Sequence, residues 1–173
     1  MTVEEIFSKL SEHMIKGLMV HEQLANYYDF LGLEVFRLEH EHQYVEESAS
    51  YRRLNHFYIS HYNKLIEESR IENPRIVPES WYKYSRFDVD LITKKNGIEN
   101  GYKEWKNWET ETRKLYEHLY CELIKIEEVS VSLFLSGFIN DVEEELQRID
   151  KELLELKATS FDLTYVMELK EKY

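Results

Sequence analysis

An all-α bundle of four long helices is the fold this sequence predicts, and three observations carry the prediction. Glycine and proline number only 5 and 2 in 173 residues, too few for a turn-rich β architecture. Apolar side chains recur at steps of three and four over long stretches, the period of a half-buried helix. The breakers cluster: Gly32, then both prolines and two Asn-Gly pairs between residues 71 and 101. They divide the chain into a hairpin, a long crossover and a second hairpin.

The first helix is expected over residues 2–31, where Ile6, Leu10, Met14, Gly17, His21, Leu24, Tyr28 and Leu31 follow the helical period. Thr2 with Glu5 forms a capping box at its start, and Gly32 ends it in a left-handed conformation. So short a link returns the second helix, residues 33–70, antiparallel to the first. Asn73-Pro74 and Pro78 follow it. Residues 71–101 read as a crossover holding small helices, since thirty structureless residues inside a compact domain would be unusual. Its aromatic run, Trp81, Tyr82, Tyr84 and Phe87, is expected to pin the connection to the bundle, with Trp105 and Trp108 packed against it. The third helix is placed at 102–127 and the fourth at 131–157. Val129 and Val131 weaken helix propensity at the turn, and Ser130 or Ser132 caps the fourth helix. A short fifth helix, 161–171, takes Ser160 as its cap. The whole chain, 1–173, reads as a single helical-bundle domain.

Net charge of −12 argues against nucleic acid, which needs a basic face. The lone Cys121 allows no intramolecular disulfide and favours a reducing compartment. The acidic N-terminus lacks signal-peptide character, and no segment approaches the ~20 apolar residues of a membrane span. A cytoplasmic protein is the expectation. Phosphate loops, hydrolase elbows and cysteine-based zinc patterns are absent from the sequence.

One residue breaks the third helix's stripe of Tyr102, Trp105, Thr112, Tyr116, Leu119 and Leu123, and that residue is Glu109. A carboxylate there costs several kcal/mol unless something pairs with it, and a polar centre in a bundle is where metals bind. On the second helix, Glu39-x-x-His42 puts a carboxylate and an imidazole on one face with Val35, Leu38, Val45 and Ala49. His40 and Glu47 share a different stripe, with Phe36, Leu54 and Tyr58, and make an alternative polar layer.

The order of hairpin, long crossover, hairpin and short terminal helix resembles the ferritin-like superfamily over nearly the whole chain. The run Phe138-Ile139-Asn140-Asp141-Val142-Glu143-Glu144-Glu145 is similar to the acidic stretch of the ferritin fourth helix, and Tyr102 to Glu109 to its third. Val142 stands where that family carries a glutamine, and no second Glu-x-x-His follows. A fainter likeness is to small ferritin-like proteins of Gram-positive phages and prophages. The resemblance implies a carboxylate-bridged pair of iron or manganese ions, with Fe(II) oxidation or oxygen chemistry. Its ligands would be Glu22 and Glu109 as terminal carboxylates, Glu39 and Glu145 as bridging ones, and His42 as nitrogen donor. The competing reading is a metal-free bundle serving as an assembly or accessory factor. Under either, a protein partner or self-association into a homo-oligomer is expected, without nucleic acid or membrane.

Overall fold

The computed structural model describes residues 1–69, 71–77 and 79–171, with side chains at all of these except 81, 82 and 169–171. Helix α1 spans Val3–Phe30, α2 Glu34–Tyr62, α3 Leu91–Lys125, α4 Val129–Ala158 and α5 Leu163–Glu171. Two short 3-10 turns, Glu79–Lys83 and Arg86–Asp88, lie in the crossover. The helices α1 and α2 form one hairpin and α3 and α4 the other, with α1 packed on α3 between them.

Local chemistry sets most of the ends. The Thr2 hydroxyl accepts from the Glu5 N–H while the Glu5 carboxylate accepts from the Thr2 N–H, a complete capping box. Gly32, at φ +70, makes the turn into α2. Helix α2 stops at Asn63, which is left-handed (φ 55), rather than running on to residue 70, and Arg70 itself lies outside the described residues. The chain then doubles back along α1. Ser8 donates to the Glu67 carbonyl, Glu12 accepts from the Ser69 N–H, and Gln23 bonds Asn73, Pro74 and Ile76. At the far end Arg86 donates to the Asp29 carbonyl.

Helix α3 begins at Leu91, earlier than the expected 102, capped by Asp90, whose carboxylate accepts from the Thr93 N–H. Gly97 and Gly101 are thus helical, not breakers. A Cβ at Gly97 would strike Leu31 Cδ1, and one at Gly101 the Tyr28 hydroxyl. These glycines trade helix propensity for close approach of α3 to α1. The turn into α4 is tighter than expected: Glu127 is left-handed (φ 61) and no side chain caps α4. Asp162, not Ser160, caps α5, accepting from the N–H groups of Thr164 and Tyr165.

The apolar interior is split in two. One half gathers Ile6, Phe7, Leu10, Leu54, Leu119 and Leu135, and the other Leu24, Tyr28, Phe36, Tyr102, Trp105 and Ile149. Between them runs a polar waist. Helix α5 docks by Val166, which is buried, with Phe161 and Leu163 half-buried. The crossover is pinned by Ile76, Val77 and Val89. Phe87 is 99% exposed, so it does not pin it, and the Trp81 and Tyr82 side chains lie outside the described residues. Trp105 is buried and Trp108 stacks on His13 at 4.3 Å, and both belong to the apolar cluster against which Ile76, Val77 and Val89 of the crossover pack. No described helix is long and apolar enough to cross a membrane.

Candidate metal centre

The polar waist is built from α1, α2, α3 and α4. His21 reaches it from α1, Glu47 from α2 and Glu109 from α3, each offering one ligand atom within 4.8 Å of the others. Helix α1 makes room for this: a Cβ at Gly17 would sit 3.2 Å from Glu47 Oε2. His21 and Glu109 are buried, at 0% and 3% exposure, and Glu47 is half-buried.

His21 is oriented by its neighbour. Its Nδ1 lies 3.0 Å from Nδ1 of His40, so one ring must donate and the other accept. With His21 as donor, its Nε2 carries the lone pair. That nitrogen is buried, has no hydrogen-bond partner, and sits 3.8 Å from Glu109 Oε1. His40 is itself held by stacking on Tyr28, centroids 5.4 Å apart, and by the edge of Trp105 at 4.8 Å.

Burial drives the electrostatics. It pushes the His21 pKa down to about 3, with the Arg148 charge adding to the effect, so this imidazole is neutral. Burial also raises the Glu109 carboxyl well above its ordinary range, reinforced by Glu47 and Glu145 and opposed by Trp105 and Arg148. Glu47 is lifted to about 7 by burial and then by Glu145 and Glu46. Without a cation, two carboxyls therefore sit close together and resist ionising. A divalent ion reverses that preference.

Arg148 of α4 occupies the same waist. Its guanidinium donates to Glu145 Oε1 at 2.5 Å, lies 3.7 Å from Glu39 Oε1, and stands 5.2 Å from the Trp105 ring centroid. The Glu152 carboxylate accepts from the Tyr102 hydroxyl at 2.5 Å just beyond it.

A cleft of about 670 Å³ opens onto the centre between α2 and α4. Glu47, Glu109 and Tyr116 line its interior, with His42, Glu46, Arg53, Asp141 and Glu144 among its other walls.

Of the five residues expected from the sequence to hold metal, the structure brings Glu109, Glu145 and Glu39 to the waist. Glu109 belongs to the histidine–carboxylate cluster, whereas Glu145 and Glu39 face Arg148. His42 is two-thirds exposed on the cleft wall, pairing with Glu46 at 3.2 Å. Glu22 is exposed in a surface depression with Asp29 and Arg37. Neither joins the cluster. The cluster instead sets beside Glu109 two residues outside the expected set, His21 and Glu47. Both lay on the apolar stripes already read from the sequence, His21 in line with Met14 and Leu24 and Glu47 beside His40.

No protein-family model matches this chain, and no curated protein matches it in sequence. Solved structures do match. A crystal structure of a PmFTN variant soaked in iron aligns over 96% of this chain and 95% of that one, with a TM-score of 0.76 at 15% identity. A second iron-soaked PmFTN variant aligns over 96% of both chains, with a TM-score of 0.76 at 13% identity. The chain is thus an all-α, ferritin-like four-helix bundle with a short C-terminal helix, and a buried His/Glu cluster lies at its centre. Neither match bears on a phage or prophage origin.

Proposed function

We propose that this protein binds iron or manganese at the waist of the bundle, through His21, Glu47 and Glu109. The observation that carries the reading is the buried Nε2 of His21, without a hydrogen-bond partner and 3.8 Å from Glu109 Oε1, in a cluster that Glu47 completes. Leaving such a nitrogen unsatisfied costs about 1–3 kcal/mol, which coordination offsets. An imidazole with carboxylates suits a divalent first-row ion of the iron or manganese kind. The iron soaks of the two PmFTN structures are consistent with this choice for a chain of the same fold.

A bound metal would supply redox chemistry at this point, and the activity we infer is oxidation of Fe(II) as substrate, each ion giving one electron to dioxygen. The chain's own residues supply the rest. His21, neutral and held by His40, keeps a lone pair turned to the centre. Glu47 and Glu109 exchange protons for the cation. The cleft between α2 and α4 admits ion and dioxygen from solvent. Tyr116, buried beside Glu47 and Glu109, holds its phenolic proton there, its pKa raised well above the ordinary value by burial.

The metal-free alternative has one observation in its favour: Arg148 already neutralises part of the waist. Under it the protein acts through its surface, by self-association or a protein partner, on exposed apolar side chains such as Val45, Leu133 and Leu154. Anaerobic loading with Fe(II), followed by elemental analysis and oxygen uptake, separates the two. Stoichiometric metal and oxygen consumption support the first reading. A chain that emerges without metal, and whose mass by light scattering is a multiple of the monomer, supports the second.

A further inference from the structure

The carboxylates of the waist do not form one set. Glu47 and Glu109 face His21, while Glu145 and Glu39 face a guanidinium. We propose that Arg148 stands in for a second cation, so that the chain binds a single divalent ion between His21, Glu47 and Glu109, beside a fixed positive charge. The inference rests on the metal reading above and narrows it from a two-ion to a one-ion centre.

Three features hold the guanidinium in place. It bridges two helices, donating to Glu145 one turn back on α4 and lying 3.7 Å from Glu39 of α2. Its carbon stands 5.2 Å from the centroid of Trp105, the buried indole whose ring also meets the edges or faces of His21 and His40. Its Nε is buried without a hydrogen-bond partner, so the stem is packed rather than free in solvent. A planar fork clamped by carboxylates and an aromatic face is a position a guanidinium holds better than an ammonium would.

The charge logic follows from the placement. In a two-ion centre of this kind the metals lie about 3.5–4 Å apart, and carboxylates must neutralise both. Here one oxygen each of Glu145 and Glu39 already faces the Arg148 guanidinium, at 2.5 and 3.7 Å. The guanidinium carbon and the His21 ring both meet the Trp105 indole, 5.2 and 6.1 Å from its centroid. A second dication would have to enter beside that charge and strip it of its partners. One dication beside it leaves both carboxylate pairs served.

The test is Mn(II) binding stoichiometry by equilibrium dialysis with elemental analysis, together with the electron paramagnetic resonance of the loaded chain. Wild type should take up one ion per chain and give the hyperfine pattern of an isolated Mn(II). Arg148→Gln, which removes the charge and leaves a shorter neutral amide, should take up two, with the broadened signal of a coupled pair. Two ions in wild type would overturn the proposal while leaving the metal reading intact, as would one ion in a folded Arg148→Gln chain. No binding to wild type would overturn both. Should Arg148→Gln fail to fold, Glu39→Gln decides. If Glu39 serves Arg148, that variant keeps one ion, with affinity changed by no more than the about 10–100-fold of a supporting residue. Loss of the ion altogether in a folded Glu39→Gln chain would make Glu39 a ligand and overturn the proposal.

Discussion

At the scale of single residues, Glu109 and His21 define the account. Glu109 is buried, its carboxyl holds its proton unless a cation is present, and its neighbours Glu47 and Glu145 both disfavour charge. Glu109→Gln copies its shape and neutrality. The metal-free variant should therefore stay within about 1.5 kcal/mol of wild type by urea unfolding. Its metal affinity should drop by more than about 100-fold, beyond what loss of a supporting residue produces. Equal affinity in the two chains would remove Glu109 from the site. Acid–base behaviour gives a second handle. Glu47 has its pKa raised from 4.5 to about 7, so its contribution to metal-free stability is full below pH 4.5 and is lost as pH rises through 7. His13 and His21 are depressed from 6.5 to about 4 and about 3, so theirs is full above pH 6.5 and is lost only as pH falls through those values. The histidines of the unfolded chain still titrate around pH 6.5, and their gain opposes the loss from Glu47, so the comparison with Glu47→Gln isolates the carboxyl. The melting temperature of metal-free wild type relative to metal-free Glu47→Gln should fall between pH 4.5 and about 8; a difference that stays constant with pH contradicts the assignment. Glu109 was legible in the sequence because it interrupts an otherwise apolar stripe. Glu22 and His42 lie outside the cluster because a helix turns once per ~3.6 residues, so a one-residue step in rotation moves a side chain from core to surface. Glu39-x-x-His42 has the right spacing, but the buried face of α2 carries Phe36, His40 and Gln43 instead.

At the scale of elements, the waist depends on how closely α3 approaches α1. Gly97 and Gly101 look like breakers in the sequence, and breaker chemistry alone cannot tell a turn from a close helix crossing. What decides is the partner: Leu31 and Tyr28 fill the space a Cβ would take. Gly101→Ala should destabilise the chain by about 1–3 kcal/mol, because the buried Tyr28 ring has nowhere to move. Gly137→Ala, at an exposed position in α4 with nothing within 4 Å of the added carbon, should stabilise it by about 0.5–1 kcal/mol. Denaturant midpoints of the two variants check the contrast, and a neutral Gly101→Ala would mean the helices are less tightly apposed. The cap of α5 shows the same limit of local reading. Ser160 and Asp162 are both good capping types, and only the left-handed backbone at Ser160 and Phe161 selects Asp162.

For the whole molecule, two apolar halves enclose a band of charge, and a cleft of about 670 Å³ between α2 and α4 leads into it. The long crossover runs back along α1, bonded to Glu12, Gln23 and Asp29, while the cleft opens between α2 and α4. Helix order and the hairpin–crossover–hairpin layout could be read from periodicity and breakers, since each is a property of one segment. The pairing of His21 with Glu47 and Glu109 could not, because it depends on the relative rotation and height of three helices at once. The direct test of the centre is anaerobic Fe(II) loading and elemental analysis of four chains: wild type, His21→Gln, Glu109→Gln and Glu22→Gln. The account predicts stoichiometric iron in wild type and Glu22→Gln, and its loss in the two waist variants. Iron retained in folded His21→Gln and Glu109→Gln, or absent from wild type, would contradict it.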